Sequence, residues 1–478
     1  MELHINLIGR RNLSGEIYRQ VRSAIADGRL RPGDCLPASR DLARSLKVSR
    51  TTVTVAYDRL VSEGFLISRI GAGTYVTDHF TPAQRKIPTA STLSSLEPRS
   101  IWNSVQLANV FAKGAKYDFR TGLPDVSRFP HEAWRRLMNR EMRIEARSRG
   151  LYEHPAGLLA LREAIARHIG VSRGVQTTAQ DVTITSGAQQ ALDVVARCLL
   201  EPGDTVAMED PGYTPPALLF KSLGARVKGV PVDGQGIVVD GMPKNARVVY
   251  VTPSHQYPLG VTMSLPRRIA LLAWATKNNV AIIEDDYDSE FRFEERPLEP
   301  LLTLDHSGRV IYVGSFSKTL LPSLRLGFLV TPTSFTPVVH KAKYVSDWHT
   351  PTVTQAALAR FIETGGFSRH VRKVGRVYAE RHNLINEILK RDFENYLSAI
   401  PSIAGLHVTA LTTDSAEKIA ACVDRAAQLG VSIQQLARFS IELPPRVGLM
   451  FGYGAIQTGQ IKEGLKRLRM SFEGQAKD

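Results

Sequence analysis

Cysteine is scarce in this sequence, which has three cysteines in 478 residues: Cys35, Cys198 and Cys422. An odd number of widely separated cysteines fits neither a disulfide framework nor a zinc site, so we predict no metal site. Long apolar runs are also missing, because none approaches the roughly 20 residues that span a bilayer. Residues 1–6 lack the basic and apolar regions of a signal peptide. We therefore expect a cytoplasmic protein with no membrane partner.

Acidic residues are outnumbered, with 46 Asp and Glu against 61 Lys and Arg, and the net charge is +15. This balance favours polyanionic partners but does not identify one. Residues 1–78 hold 12 Lys and Arg against 8 Asp and Glu, so the excess is spread along the chain. A chain of 478 residues is too long for one core, so we expect at least two domains.

Residues 10–78 are predicted to form a small helical domain that ends in a β-hairpin. Apolar residues recur at helical spacing in three short segments, and Gly64 is placed to end the third. We expect the helices to begin at the serine caps Ser14, Ser39 and Ser49. Short helices followed by a hairpin around Gly71–Gly73 are typical of a winged helix that binds the DNA major groove.

Residues 79–113 are rich in proline, serine and threonine and predict a flexible linker. Residues 114–475 alternate apolar strand-like runs with helical stretches, which predicts an α/β fold with a mainly parallel sheet. The predicted strands are Val182–Thr185, Thr205–Met208, Val248–Val251, Val280–Glu284 and Val310–Val313. Because ligands of such sheets bind at the carboxyl ends of the strands, we expect the site there.

The segment 314–328 carries a lysine among small hydroxyl residues, followed by an arginine. Lys318 is a candidate nucleophile, because a lysine amine that loses its proton can condense with an aldehyde. Ser315, Ser317 and Arg325 are candidate phosphate ligands, since arginine offers paired donors. Ser315 and Lys318 also match the Ser-x-x-Lys pair of serine β-lactamases, but the other elements of that site are missing from the sequence.

Two further strand ends carry polar groups. Ser186, Gly187 and Ala188 join a strand to a helix, where free backbone amides can bind phosphate. Asp285 and Tyr287 follow another strand, where acidic residues indicate a metal site, solvated caps, or a carboxylate that faces a pyridine nitrogen. In the third case the carboxylate keeps the ring of pyridoxal phosphate protonated, and Tyr287 donates to the phenolate of that ring.

Four ordered motifs run through the amino-terminal domain: Leu36-Pro-Ala-Ser-Arg-Asp-Leu-Ala, Val48-Ser-Arg-Thr-Thr-Val, Leu60-Val-Ser-Glu-Gly-Phe-Leu and Gly71-Ala-Gly-Thr-Tyr-Val. Together they resemble the GntR-type winged helix, which implies binding to double-stranded promoter or operator DNA. The implied contacts are Arg40, Ser49, Arg50, Thr51, Thr52, Gly71 and Gly73. Arg50 suits guanine, because a guanidinium can form two hydrogen bonds with that base.

The larger domain has separated motifs of its own: Tyr152-Glu-His-Pro-Ala-Gly157, Glu209-Asp-Pro-Gly-Tyr213, Thr252-Pro-Ser-His255-Gln-Tyr-Pro-Leu-Gly260 and the lysine segment. They resemble the fold type I aminotransferases, and the whole chain resembles the MocR/GabR subfamily of GntR regulators. The resemblance implies a head-to-tail homodimer and pyridoxal 5'-phosphate held covalently by Lys318, with Tyr213 stacked on its ring. The implied cofactor site also contains Asp285, Tyr287, Ser186, Gly187, Ala188, His255, Ser315, Ser317 and Arg325.

The usual carboxylate-binding arginines of such aminotransferases are not found where the resemblance would place them. Met450 stands at one position, with Arg446 at the entrance of the same predicted strand, and Thr214-Pro215 stands at the other. The expected effector is therefore an amine, an amino acid or pyridoxal phosphate itself. An active aminotransferase with an incidental amino-terminal domain is the alternative, and a surface lysine with no cofactor is a third interpretation.

Overall fold

A computed structural model describes residues 5–7, 12–69, 71–77, 97–105, 115–147, 150–293 and 299–473. The chain divides into two compact units, Met1–Pro98 and Arg99–Asp478. Most of the predicted linker lies outside the described residues, as does Ile70 in the predicted hairpin. The described part of the linker, residues 97–105, contains a 3-10 helix over Ser100–Ser104. No helix of the described residues combines the length and apolar character needed to cross a bilayer.

The first unit is a winged helix. Its helices are α1 (Leu13–Ala26), α2 (Ser39–Leu46) and α3 (Arg50–Ser62), and its strands are β1 (Cys35–Leu36), β2 (Leu66–Arg69) and β3 (Gly73–Val76). The strands form an antiparallel sheet in the order β1-β3-β2. One apolar core holds these elements together, and Ile17, Val21, Val53 and Leu60 are fully buried in it. The predicted helices and hairpin are present.

The caps of these helices differ in part from the prediction. Ser49 caps α3, because its side chain accepts a hydrogen bond from the Thr52 amide at 3.1 Å. Asn12 rather than Ser14 precedes α1, and Ser39 is the first residue of α2 rather than its cap. Apolar periodicity fixes the buried face of a helix, but it leaves the first helical residue uncertain by one or two positions.

The second unit is built on an eight-stranded sheet with the order β5-β12-β11-β10-β9-β6-β7-β8. These strands are β5 (Val182–Thr185), β6 (Thr205–Asp210), β7 (Arg226–Asp233), β8 (Gly236–Ile237), β9 (Ala246–Val251), β10 (Ala281–Asp286), β11 (Val310–Ser315) and β12 (Gly327–Val330). β12 runs antiparallel to both of its neighbours, and the pairs from β11 through β10, β9 and β6 to β7 are parallel. The five predicted strands and the mainly parallel sheet are confirmed.

A smaller sheet follows in the chain, with the order β13-β14-β17-β16. Its strands are β13 (Ser398–Ala399), β14 (His407–Leu411), β16 (Gln434–Gln435) and β17 (Gly448–Gly452), while β4 (Tyr117–Asp118) pairs separately with β15 (Val431–Ser432). A segment near the start of this unit therefore packs on the carboxy-terminal part of the same unit.

The helices of the second unit are α4 (His131–Glu145), α5 (Leu159–Arg173), α6 (Ala188–Leu199), α7 (Thr214–Ser222), α8 (Leu265–Asn278), α9 (Leu301–Leu304), α10 (Thr336–Asp347), α11 (Thr352–Glu363), α12 (Gly366–Asp392), α13 (Ala416–Gln428) and α14 (Thr458–Glu473). Separate apolar cores lie around the large sheet and around the smaller sheet with α12–α14. Both cores hold strand ends in fixed register, which positions the candidate site.

Candidate cofactor site and nucleic-acid interface

Register across the large sheet brings the predicted site residues together. Thr185 of β5 lies opposite Gly327 of β12, which lies opposite Ser315 of β11. Because β12 runs against its neighbours, its amino end meets their carboxyl ends, so Arg325 lies at the same edge as Ser186. On the other side of β11, Asp285 of β10 pairs with Val313. One edge of the sheet therefore carries groups from four adjacent strands.

Lys318 follows β11 and is partly buried, and its Nζ donates a hydrogen bond to the Gly122 carbonyl at 2.8 Å. Burial lowers the pKa of Lys318, while the charges of Asp288 and Asp285 act in the opposite direction. A lysine with a lowered pKa gives up its proton more readily, which is what attack on an aldehyde needs. Gly122 has φ +77°, a conformation that favours glycine.

Three consecutive carboxyl groups end β10, and strand alternation separates them. Glu284 accepts the Leu301 and Leu302 amides, and Asp286 is paired with Arg173. Among the described residues, Asp285 accepts one hydrogen bond, from the Tyr250 hydroxyl at 2.7 Å, and its other oxygen, Oδ1, is buried without a partner. Burial raises the pKa of Asp285 to about 6, despite the bond from Tyr250.

The predicted phosphate ligands meet at the start of α6. Arg325 donates to the Ser186 carbonyl at 2.7 Å and is otherwise exposed. Gly187 has φ +85°, and a Cβ there would lie 2.9 Å from the Arg325 guanidinium, so glycine is needed for this approach. The Ser186 amide already donates to Gln190 Oε1 at 2.7 Å. The first amides of α6, including that of Ala188, have no acceptor within the helix.

Two serines of the lysine segment are further candidate phosphate ligands at this edge of the sheet. Ser315 ends β11 and is buried, and its Oγ accepts the Ser317 amide at 3.2 Å. Ser317 is partly buried next to Lys318. Together with Arg325 and the first turn of α6, these hydroxyls place several donors at one end of the site, as a phosphate monoester requires.

Tyr287, the predicted donor to the phenolate of the cofactor ring, is bonded to His255 in this structure. Its hydroxyl donates to the His255 carbonyl at 2.9 Å and lies 3.0 Å from Nδ1 of the same histidine. That nitrogen also lies 3.1 Å from Asp288 Oδ2, and Nε2 lies 3.2 Å from Ser402 Oγ. The imidazole of His255 is thus held from both sides. A ring bound in the site would have to share the Tyr287 hydroxyl with this network.

His255, Asp288 and His407 are all buried, and their ligand atoms lie within 4.8 Å of one another, a set that suits a divalent metal. His407 Nε2, however, donates to the Pro258 carbonyl at 3.0 Å, and His255 is bonded as above. Burial, with the neighbouring His255, lowers the pKa of His407 well below its usual value. Hydrogen bonds therefore account for this cluster.

Tyrosines form one wall of the site. Tyr213 precedes α7, and burial, with the nearby charge of Asp285, raises its pKa to about 12. Its ring meets that of Tyr257 edge to face at 5.5 Å. The Tyr257 hydroxyl lies 2.8 Å from Thr121 Oγ1, and the same threonine is bonded to Gln434. Tyr213 is near the carboxylate and arginine of the site, as stacking on a ring there would require.

Sequence reasoning missed the partners supplied by distant segments. Gly122 and Thr121 belong to the entry segment, while Ser402, His407 and Gln434 belong to the smaller sheet region. No local motif marks them. Glu209 lies within a quoted motif, but its role was not predicted: it accepts from Thr252 and Gln256, and burial raises its pKa to about 7.

The predicted DNA contacts lie on an open face of the winged helix. Arg40, Ser49, Arg50 and Thr51 are exposed, and Thr52 is partly buried by its bond to Ser49. Arg50 Nε lies 3.4 Å from Ser39 Oγ, so α2 steadies the first side chain of α3. The turn between β2 and β3 exposes Gly71 and Gly73, both at positive φ. Most of the residues predicted to contact DNA are therefore exposed at the start of α3 and at the glycines of the hairpin.

Comparison with known families gives two matches in the order of the two units. The family described as "Bacterial regulatory proteins, gntR family" matches residues 13–76, and "Aminotransferase class I and II" matches residues 116–443. A solved structure, the Pyrococcus horikoshii kynurenine aminotransferase in complex with PMP, has a TM-score of 0.73 and 26% identity, covering 80% of this chain and 98% of that one. Pyridoxal phosphate is accordingly the cofactor of this fold.

Curated relatives match nearly the whole chain. "Probable rhizopine catabolism regulatory protein MocR" of Rhizobium meliloti is 36% identical over 463 residues, 96% of this chain and 93% of that protein. "HTH-type pyridoxine biosynthesis transcriptional regulator PdxR" of Corynebacterium glutamicum is 31% identical over 442 residues, 92% of this chain and 91% of that protein. The chain therefore belongs to the MocR-type transcriptional regulators, in which a GntR-family winged helix is joined to an aminotransferase-like domain.

Proposed function

We propose that this regulator holds pyridoxal phosphate on Lys318 and that an amine, an amino acid or the cofactor itself changes its binding to promoter DNA. The observation that carries the proposal is the meeting of Lys318, Asp285 and Arg325 at one edge of the large sheet, in a chain that also has an exposed recognition helix. A ligand changes such an equilibrium only by binding two arrangements of the protein unequally.

The residues at the sheet edge fit the three chemical parts of the cofactor. Asp285 Oδ1, buried without a partner, would face the ring nitrogen. Arg325, Ser315, Ser317 and the first turn of α6 would bind the phosphate. When bound, the group supplies an aldehyde and a ring that withdraws electrons. Within the site, Lys318 supplies the amine, and Tyr213 covers one face of the ring.

His255 and Tyr287 have positioning roles in this proposal. Asp288 and Ser402 fix the imidazole, and the imidazole and its own carbonyl fix the Tyr287 hydroxyl. To donate to the phenolate oxygen of the cofactor, the Tyr287 hydroxyl would turn its single proton from the His255 carbonyl to that oxygen, which needs no movement of the backbone. Through Tyr287 and His255, the cofactor ring would be connected to the buried Asp288.

An exposed aromatic patch supports the homodimer. Leu151, Tyr152, Tyr344, Val345 and Trp348 are exposed, at 73% for Leu151, 75% for Tyr152 and 82% for Val345. The rings of Tyr152 and Trp348 lie 4.4 Å apart, and those of Tyr344 and Trp348 lie 5.3 Å apart. Contiguous apolar surface of this kind marks an interaction site. We assign this patch to a second copy of the chain. The three cysteines, Cys35, Cys198 and Cys422, are free thiols, and we propose that the protein acts in the reducing cytoplasm, where free thiols persist.

Lys318→Ala tests the cofactor and the regulator together. The variant should lose the absorbance of the covalently held cofactor, and its operator affinity should stop responding to pyridoxal phosphate. Lys341→Ala, which changes an exposed lysine, is the matched control and should behave as the parent protein. Unchanged absorbance in Lys318→Ala would refute the covalent role. Rapid turnover of amino and keto acids with no operator response would favour an aminotransferase instead.

Asp285→Asn separates cofactor binding from stability. The raised pKa means that ionised Asp285 costs folding free energy, and this cost is absent below pH 4, grows towards pH 6 and is complete above it. The variant without cofactor should therefore be more stable at pH 7.5 by roughly 2–3 kcal/mol, with no gain near pH 4. It should also bind the cofactor more weakly. Thermal melts at both pH values, with exposed Asp424→Asn as control, check this; a loss of stability at pH 7.5 contradicts it.

Arg50→Ala tests the recognition helix. Loss of a bidentate base contact should weaken operator binding by about 1–3 kcal/mol and relax the sequence preference at one position. Footprinting and titration against single-base operator variants measure both effects. Arg19→Ala, on the exposed side of α1, is the control. An unchanged preference in the Arg50 variant would count against this placement of the DNA contacts.

Val345→Asp tests the aromatic patch. A charge buried at a subunit interface should shift the protein towards monomer and raise the dimer dissociation constant at least tenfold, or about 1.4 kcal/mol. Light scattering across a dilution series measures this. Val171→Asp changes another exposed valine, at 92% exposure, and should leave the mass unchanged. Equal masses for both variants would exclude the patch as the interface.

A further inference from the structure

In the described part of the site around Lys318, no buried cation is left for an anionic group other than the phosphate, and this limits the effector. We propose that the effector is a primary amine that carries no carboxylate. The inference rests on the proposed function, because it assumes that an amine reaches the cofactor on Lys318. It goes further because the charges and contacts of the wall beyond the lysine indicate the chemical class of the effector.

In this proposal β17 and β16 form the wall beyond the lysine, and Met450 lies in β17. It pairs with Thr409 and Gln434 across the smaller sheet and is fully buried. Gln434 connects this position to the lysine, because its Oε1 accepts both the amide and the hydroxyl of Thr121 at 2.7 Å, and Gly122 follows Thr121. The apolar cluster that surrounds Met450 consists of Val232, Leu259, Val261, Leu436 and Phe439. A carboxylate placed here would lose its water without gaining a counterion.

Three guanidinium groups in the described part of this region are engaged in ion pairs. Arg120 is paired with Asp118 at 2.7 Å, Arg173 with Asp286, and Arg381 with Asp125 at 2.6 Å. Arg446 is exposed before β17, and its Nη1 lies 3.4 Å from the Val232 carbonyl. Arg325 is assigned to the phosphate. Recruiting any of the paired arginines for a ligand would leave a carboxylate of the protein without its partner.

The remaining charges favour a cation over an anion. Asp285 and Asp288 both act electrostatically on Lys318, and Asp285 also acts on Glu209. Asp285 is assigned to the ring nitrogen and Arg325 to the phosphate, so Asp288 is the buried carboxyl group that would attract an incoming ammonium and repel a carboxylate. The other polar groups of the wall are neutral: Thr121 and Tyr257 hydroxyls 2.8 Å apart, with the amide of Gln434 beside them. Such groups match hydroxyl substituents on an amine.

Matched pairs of amines test the class. The full-length protein loaded with pyridoxal phosphate is titrated with alanine against 2-aminopropan-1-ol, and with 4-aminobutyrate against 4-aminobutan-1-ol. Each pair keeps the skeleton and replaces the carboxylate by a hydroxymethyl group. The cofactor spectrum and operator affinity are followed at each concentration. The alcohols should act at concentrations at least about tenfold lower than the acids, because a carboxylate buried without a partner costs more than the 1.4 kcal/mol that a factor of ten represents.

Each outcome decides the inference. Equal or stronger responses to the acids overturn it. A protein that takes up the cofactor but responds to none of the four amines also overturns it, while the proposed cofactor site stands. A protein that takes up no cofactor fails at the proposed function itself. The last two results are told apart by the absorbance recorded before any amine is added.

Met450→Arg supplies the missing cation. The variant should gain affinity for the acids and move the acid-to-alcohol ratio about tenfold or more towards the acids. Met470→Arg introduces the same charge at an exposed position of α14 and should leave the ratio unchanged. An unchanged ratio in a folded, cofactor-loaded Met450→Arg protein overturns the placement of this wall. If the buried arginine prevents folding, the titrations of the parent protein still decide the class.

Discussion

The candidate site depends on the antiparallel insertion of β12 between β5 and β11. This single reversed strand brings its amino end to the edge where its neighbours end, so Arg325 meets Ser186 although the two are far apart in the chain. The approach is close: a Cβ on Gly327 would lie 2.9 Å from the Gly187 backbone. Small residues on both strands allow the arginine, the first turn of α6 and the lysine loop to share one space.

Burial of charge is the second constraint, and β10 shows how it is managed. Glu284 and Asp286 point to one face of the strand, where Arg268 and Arg173 neutralise them. Asp285 points to the other face and has one donor, Tyr250. A carboxylate left short of donors destabilises the fold unless a ligand completes it. Asp286 also has one buried oxygen without a hydrogen bond, but Arg173 pairs with its other oxygen; within the described residues Asp285 is the carboxyl group of the three without an arginine beside it, which fits a place for a ligand cation.

Sequence reasoning predicted the fold class and the strand ends well, because apolar runs followed by polar residues are local signals. Lys318, Asp285, Arg325 and the Ser186–Ala188 turn all follow from such signals, although their roles remain predictions. Ser14 and Ser39 were misplaced as caps, since periodicity does not fix the first helical residue. The contact between Tyr287 and His255 was not predicted. It depends on Asp288 and on Ser402 from the other sheet region, and long-range pairing leaves no local pattern in a single sequence.

The entry segment of the second unit is where these constraints meet. β4 pairs with β15, Thr121 is bonded to Gln434 of β16, and Gly122 accepts the hydrogen bond from Lys318. Asp125 continues the segment into the buried pair with Arg381. A change in the proton or bonding state of Lys318 must alter the donor available to Gly122. The chain that runs back from Gly122 leads through the predicted linker to the winged helix. In the chain, Gly122 follows the predicted linker, which ends at residue 113, after a short segment in which Tyr117 and Asp118 pair with β15.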